Sequence, residues 1–130
     1  MARLARVLSQ RARHPSIFLR QRRSVLGSSS GSNARKVSPA LAAGCAIVVK
    51  PPEATPLTAL ILEALAHQAG IPADLFRVTP TNTSSKIGAL FCSHPLIRKL
   101  SFTGSTHVGK ILLAQAGPSL LVERLHLLGD

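Results

Sequence analysis

At 130 residues, 45% of them apolar, the chain has room for one domain at most, and four Phe with no Trp or Tyr make any core aliphatic. No apolar run reaches the length of a membrane span. The formal net charge of +11 suggests a nucleic-acid partner only until it is located: residues 1–36 hold nine Arg or Lys and no acid, whereas residues 37–130 hold seven against five acids.

The basic end comes first in the chain. Met1 to about Ser32 interleaves Arg3, Arg6, Arg11, Arg13, Arg20, Arg22 and Arg23 with Leu4, Val7, Leu8, Ile17, Phe18, Leu19 and Leu26. An Arg- and Ser-rich, acid-free composition of this kind is that of a mitochondrial transit peptide, which needs a cationic amphipathic helix and no carboxylates. It would place the protein in the mitochondrial matrix; without such a signal the cytoplasm is the default. A single Phe in the segment gives little surface for base stacking, which argues against a nucleic-acid arm. Gly27–Ser32 is a flexible linker by composition. The expected organisation is therefore a leader and linker over residues 1–33, then a domain over residues 34–130.

The domain reads as alternating helices and strands. Ser38 can cap a short helix with Pro39 in its first position, and Gly44 can end it. Cys45–Lys50 is a continuous apolar run suited to a strand buried on both faces. Thr55 and Pro56 make an N-cap and first position for a helix carrying Leu57, Leu60, Ile61, Leu65 and Ala69, its stripe widened by Leu62 and Ala66. Gly70 is the expected left-handed cap, with Pro72 just beyond. Leu75–Thr79 reads as a second strand and Ser84–Ser93 as a helix through Ile87, Leu90 and Phe91. Arg98–Phe102 is a third strand, Thr103 and Gly104 a turn, and Ser105 or Thr106 an N-cap for a last helix over Val108–Ala116. Strand and helix repetition implies right-handed crossovers, so the predicted class is α/β, a partial parallel sheet with flanking helices in Rossmann-like βα units. Three strands alone would leave sheet edges open.

The chemistry concentrates at two turns. Strand, glycine turn and helix start leave amide N–H groups at the positive end of a helix dipole, a site suited to phosphate. There Gly104 lets the backbone approach an anion and Ser105 adds a hydroxyl. Lys50 and Glu53 also follow a strand, and ligands of open parallel sheets sit beyond the strands' carboxyl ends. A carboxylate such as Glu53 can accept from two vicinal hydroxyls, as a ribose offers, and Lys50 adds a donor and a charge. The pattern is not the G-x-G-x-x-G fingerprint, and its acid precedes the glycine turn. Cys45 and Cys92 lack metal-ligand spacing and read as small packed residues.

Three collinear stretches carry a family resemblance. Phe102-Thr-Gly-Ser-Thr106 followed by Gly109, the run Pro39-Ala-Leu-Ala-Ala-Gly-Cys-Ala-Ile-Val-Val-Lys50-Pro-Pro-Glu53-Ala-Thr-Pro56, and Ala69-Gly-Ile-Pro-Ala73 together resemble the aldehyde dehydrogenase superfamily. Cys92-Ser-His-Pro95-Leu is most similar to its succinate-semialdehyde dehydrogenases. The resemblance implies a cofactor, NAD, with Glu53 set to repel a 2′-phosphate and Lys50 leaving NADP open. It assigns Lys50 and Glu53 to the adenosine ribose, Ser105 at the Gly104 turn to the pyrophosphate, and Val108 and Ile111 to the flanks of the adenine.

Family members oxidise aldehydes through a thiolate, a glutamate base and an oxyanion-stabilising Asn, and their subunits are several times longer. Neither cysteine matches the nucleophile. In the tail Leu121–Asp130, Leu127 or Leu128 falls where the base should be, Gly129 is kept, and Asp130 replaces a glycine. Glu123 comes too early, and His126 is a poor substitute. The expectation is a partial NAD(P)-binding domain, inactive alone. The alternative is a non-catalytic piece that pairs a sheet edge with a full-length subunit.

Overall fold

The computed structural model of the chain describes residues 23–27, 33–118 and 120–123. The elements alternate strictly: β1 (Arg23–Gly27), α1 (Asn33–Ala42), β2 (Ile47–Lys50), α2 (Leu57–Gln68), β3 (Phe76–Val78), α3 (Ser84–Ser93), β4 (Ile97–Phe102), α4 (Thr106–Gln115) and β5 (Leu121–Glu123). They build one five-stranded sheet in the order β3-β2-β1-β4-β5. Every pairing is parallel. The α/β class is as the sequence implies, but the sheet has five strands where three were expected.

The largest correction falls on the leader. Arg23–Gly27, counted with the basic segment and its linker, is the central strand, hydrogen-bonded to β2 from Ser24 to Gly27 and to β4 from Arg23 to Gly27. Arg-Ser-Val-Leu-Gly has too few apolar residues to show a period. A central strand needs no strong pattern of its own when neighbours on both sides present complete hydrogen-bonding edges. Residues 1–22 and 28–32, the remainder of the expected leader and linker, lie outside the described residues. So do residues 124–130, where a catalytic base was sought.

Two helix boundaries move as well. α1 begins at Asn33, not Ser38, and takes Pro39 into its interior. A proline there removes one amide donor. Val37 compensates by burying against the sheet with Ala40 and Leu41 beside it. Gly44 ends this helix as predicted, with φ 71°; its N–H bonds Leu41 and that of Cys45 bonds Ala40, the paired pattern of a Schellman cap. Gly70 does the same for α2 at φ 92°. The N-cap of α2 is Pro56 rather than Thr55, and no side chain caps it.

The core has two halves, one on each face of the sheet. Ile47, Val49, Phe76 and Val78 pack with Val37 of α1 and Ala59 of α2. Val48, Ile97 and Leu100 pack with Ile87, Phe91 and Cys92 of α3, with Leu112 of α4 against them. Phe76, Ile47, Ile97 and Val49 are almost wholly buried, each stabilising by about 1.5–3 kcal/mol, so the sheet carries most of the core. α2 turns a different face inward from the one expected. Ala59, Leu60, Leu62 and Ala66 meet the sheet, while Leu57, Ile61 and Leu65 are 70%, 59% and 54% exposed. A helix apolar nearly all round does not declare its inward side, and the small Ala59 allows the closest approach to the sheet.

Substituting Val25→Pro deletes an amide from the centre of the sheet. The expected outcome is loss of cooperative urea unfolding followed by circular dichroism. Retained cooperativity would return residues 23–27 to the leader.

Candidate functional site

Because the strands are all parallel, their carboxyl ends share one edge, and the turns after β2 and β4 meet there. Lys50 ends β2 and Phe102 ends β4. Between them a groove of about 490 Å³ opens between α3 and α4, within the range of small-molecule sites. Its lining includes Lys50, Gly104, Val108 and Ile111, which the sequence singled out, together with Ser84, Gly88, Phe91, Leu100 and Phe102. The walls are mainly apolar, and Lys50 is the sole charged residue among those lining it.

Glu53 and Ser105 stand outside that lining. Glu53 is exposed, and its Oε1 accepts from the Ser84 backbone N–H at 3.0 Å and from the Ser84 hydroxyl at 2.5 Å. It therefore holds the first turn of α3, where helix amides lack internal partners. These two bonds, with a smaller contribution from the Lys50 charge, hold its carboxyl below the ordinary glutamate value. Oε1 takes both bonds, so Oε2 has no protein partner among the described residues and keeps the acceptor that a diol would need. Burial lowers the Lys50 ammonium from its ordinary value, and the Glu53 charge opposes that shift. An anion entering the groove would favour the charged lysine again.

Ser105 is the N-cap of α4, its Oγ accepting from the Val108 amide at 3.4 Å. An accepting hydroxyl still has its own proton to donate, so capping and anion contact are compatible. Gly104 carries a steric constraint besides the anion approach expected of it. A Cβ built on it would stand 2.5 Å from Cζ of the Phe102 ring, so any larger residue would have to displace the ring folded over the turn. Lys36 of α1 donates to the Thr103 hydroxyl and ties the same turn to the first helix.

Sequence reasoning passed over Ser84, Phe102 and Gly88. For Gly88 a signal existed, since an interior helix glycine implies close packing. A Cβ there would meet Leu112 Cδ2 at 3.1 Å, so its absence lets α3 and α4 approach beneath the groove. The cysteines are elsewhere. Cys45 precedes β2 and Cys92 precedes β4, which puts both at the amino edge of the sheet. Cys92 is buried, its thiol donates to the Leu112 carbonyl at 3.4 Å, and burial raises its pKa. Among the described residues no cluster of His, Cys, Asp or Glu could hold a metal, and no helix is long and apolar enough to cross a membrane.

Fold and groove together define a doubly wound, parallel α/β protein whose apolar, lysine-tipped groove lies at the carboxyl edge of the sheet. Residues 30–129 match the aldehyde dehydrogenase family, and the chain belongs to that family. It is 54% identical over 88 residues to the mitochondrial succinate-semialdehyde dehydrogenase of Mus musculus, covering 66% of this chain and 17% of that protein. It is 51% identical over 96 residues to the 3-sulfolactaldehyde dehydrogenase of Pseudomonas putida, covering 74% and 20%. The crystal structure of succinate-semialdehyde dehydrogenase from Burkholderia pseudomallei superposes with a TM-score of 0.73 at 42% identity, over 86% of this chain and 23% of that one. The chain thus spans about a fifth of the length of these relatives.

Glu53 gives the site a pH signature. Its carboxyl is depressed in the folded state, so its contribution to stability is present above the unfolded carboxyl value of 4.5 and is lost as pH falls through the folded value. In a series of urea midpoints below pH 5, Glu53→Ala should flatten the acid limb relative to the parent. Parallel limbs would show that the Ser84 contacts do not form in solution.

Proposed function

We propose that this chain binds the adenosine and pyrophosphate portion of NAD or NADP and represents the dinucleotide-binding part of an aldehyde dehydrogenase acting on succinate semialdehyde. One observation carries the reading: Lys50, after β2, and Gly104, Val108 and Ile111, after β4, line a single groove at the carboxyl edge of the sheet. Val108 and Ile111 supply an apolar wall for a purine, and both are partly exposed, at 40% and 42%. Lys50 and the second carboxylate oxygen of Glu53 offer a donor and an acceptor for ribose hydroxyls. Ser105 and the first amides of α4 offer donors to phosphate. The charge on Glu53 disfavours a 2′-phosphate and tilts the choice to NAD.

When bound, the dinucleotide supplies a hydride acceptor. This chain's own thiols do not supply the partner chemistry, since Cys45 precedes β2 at the amino edge of the sheet and Cys92 is held as a buried thiol on the Leu112 carbonyl. The chain alone is therefore inactive towards aldehydes. The substrate assignment is supported by relatives whose names specify aldehydes bearing a second, acidic group, a carboxylate or a sulfonate. The matrix is the proposed location, supported by the acid-free arginine-rich composition of residues 1–22 and by a relative named as mitochondrial.

Titration calorimetry should show NAD binding more tightly than NADP. Lys50→Ala should weaken NAD by about tenfold or more, the scale of one hydrogen bond to a charged group. Val108→Asp should abolish binding by placing a charge on the purine wall. No heat with either dinucleotide would end the proposal. A fluorescent fusion of residues 1–22 that stays in the cytosol would end the matrix assignment separately.

A further inference from the structure

Parallel sheets leave two strands with one open side, and here one of them is β3. The Ile47 N–H bonds the Leu75 carbonyl, and the Thr79 N–H bonds the Val49 carbonyl. Leu75 and Thr79 therefore face β2, and by alternation Phe76 and Val78 turn their backbone groups to the open side. Two of those groups, the Phe76 carbonyl and the Val78 N–H, are taken by side chains. His67 Nε2 lies 3.1 Å from the Phe76 carbonyl oxygen, and since a carbonyl only accepts, Nε2 carries the hydrogen. Glu63 Oε1 accepts from the Val78 N–H at 3.1 Å. Both side chains come from α2, one helical turn apart.

A further parallel strand would place one residue opposite Arg77, its N–H on the Phe76 carbonyl and its C=O on the Val78 N–H. His67 presents that donor and Glu63 that acceptor. Arg77 holds the arrangement in place, its guanidinium 3.4 Å from the same Glu63 oxygen. The Glu63 side chain is only 14% exposed, so it is turned onto the strand and away from solvent.

We propose that Glu63 and His67 act as a side-chain surrogate for a sixth strand, closing the β3 edge against strands of a second copy of the chain. Open edges are sites of intermolecular pairing, and proteins close them by specific devices. Edge pairing with a full-length subunit would then have to use another surface. The inference stands apart from the dinucleotide proposal and uses none of its residues.

The test is amide hydrogen exchange and light scattering on the full chain. In Glu63→Ala the Val78 amide should exchange about tenfold faster or more, while the Thr79 amide, bonded to β2, keeps its parent rate. Glu63→Gln, which retains a carbonyl acceptor, should keep Val78 protected. The double variant Glu63→Ala with His67→Ala should shift towards larger, strand-paired species as concentration rises. The proposal is overturned by an unchanged Val78 rate or an unchanged size distribution. Equal acceleration at Val78 and Thr79 would overturn it too, because it would report general loosening of the fold.

Discussion

The hydrogen-bonded ladder from β1 to both β2 and β4 is the constraint on which the remaining structure depends. β1 lies between two strands that the chain reaches through crossovers in opposite directions across the sheet. Its parallel pairing sets the carboxyl ends of β2 and β4 on the same edge, and so brings the Lys50 and Gly104 turns together. Without β1 those strands have no common register. A segment with little apolar character of its own thus decides where the groove lies.

Around that edge the molecule combines an apolar slot with a few polar groups already committed to other contacts. Ser105 caps α4, and Glu53 holds the first turn of α3 through Ser84. Each keeps some capacity in reserve: a hydroxyl proton and a second carboxylate oxygen. Such groups are pre-positioned by the contacts they make within the protein, which lowers the ordering cost when a ligand arrives. Lys50 is the exception, a cation disfavoured by burial and favoured by the charge of Glu53.

At the opposite end of the sheet the same economy serves a different purpose. Glu63 and His67 belong to a helix whose other side exposes Leu57, Ile61 and Leu65. Glu63 and His67 are turned to the strand edge and several of the larger apolar residues of α2 to the outside. That inversion is intelligible once the edge is considered, because unpaired backbone groups of an outer strand need partners and apolar side chains cannot supply them.

What the sequence determined by itself is local. The helix over Ser84–Ser93, the glycine stops at Gly44 and Gly70, the cap at Ser105 and the alternation of strands with helices all follow from propensity, capping and periodicity within a few residues. The family motifs were legible for the same reason, since turns at strand ends are short and their residue types are constrained. Tertiary structure decided the rest: that Arg23–Gly27 is a strand, that α1 runs through Pro39, and which face of α2 is buried. Each of these depends on a partner distant in the chain, a neighbouring hydrogen-bonding edge or a sheet to pack on, and no local pattern of residues specifies such a partner.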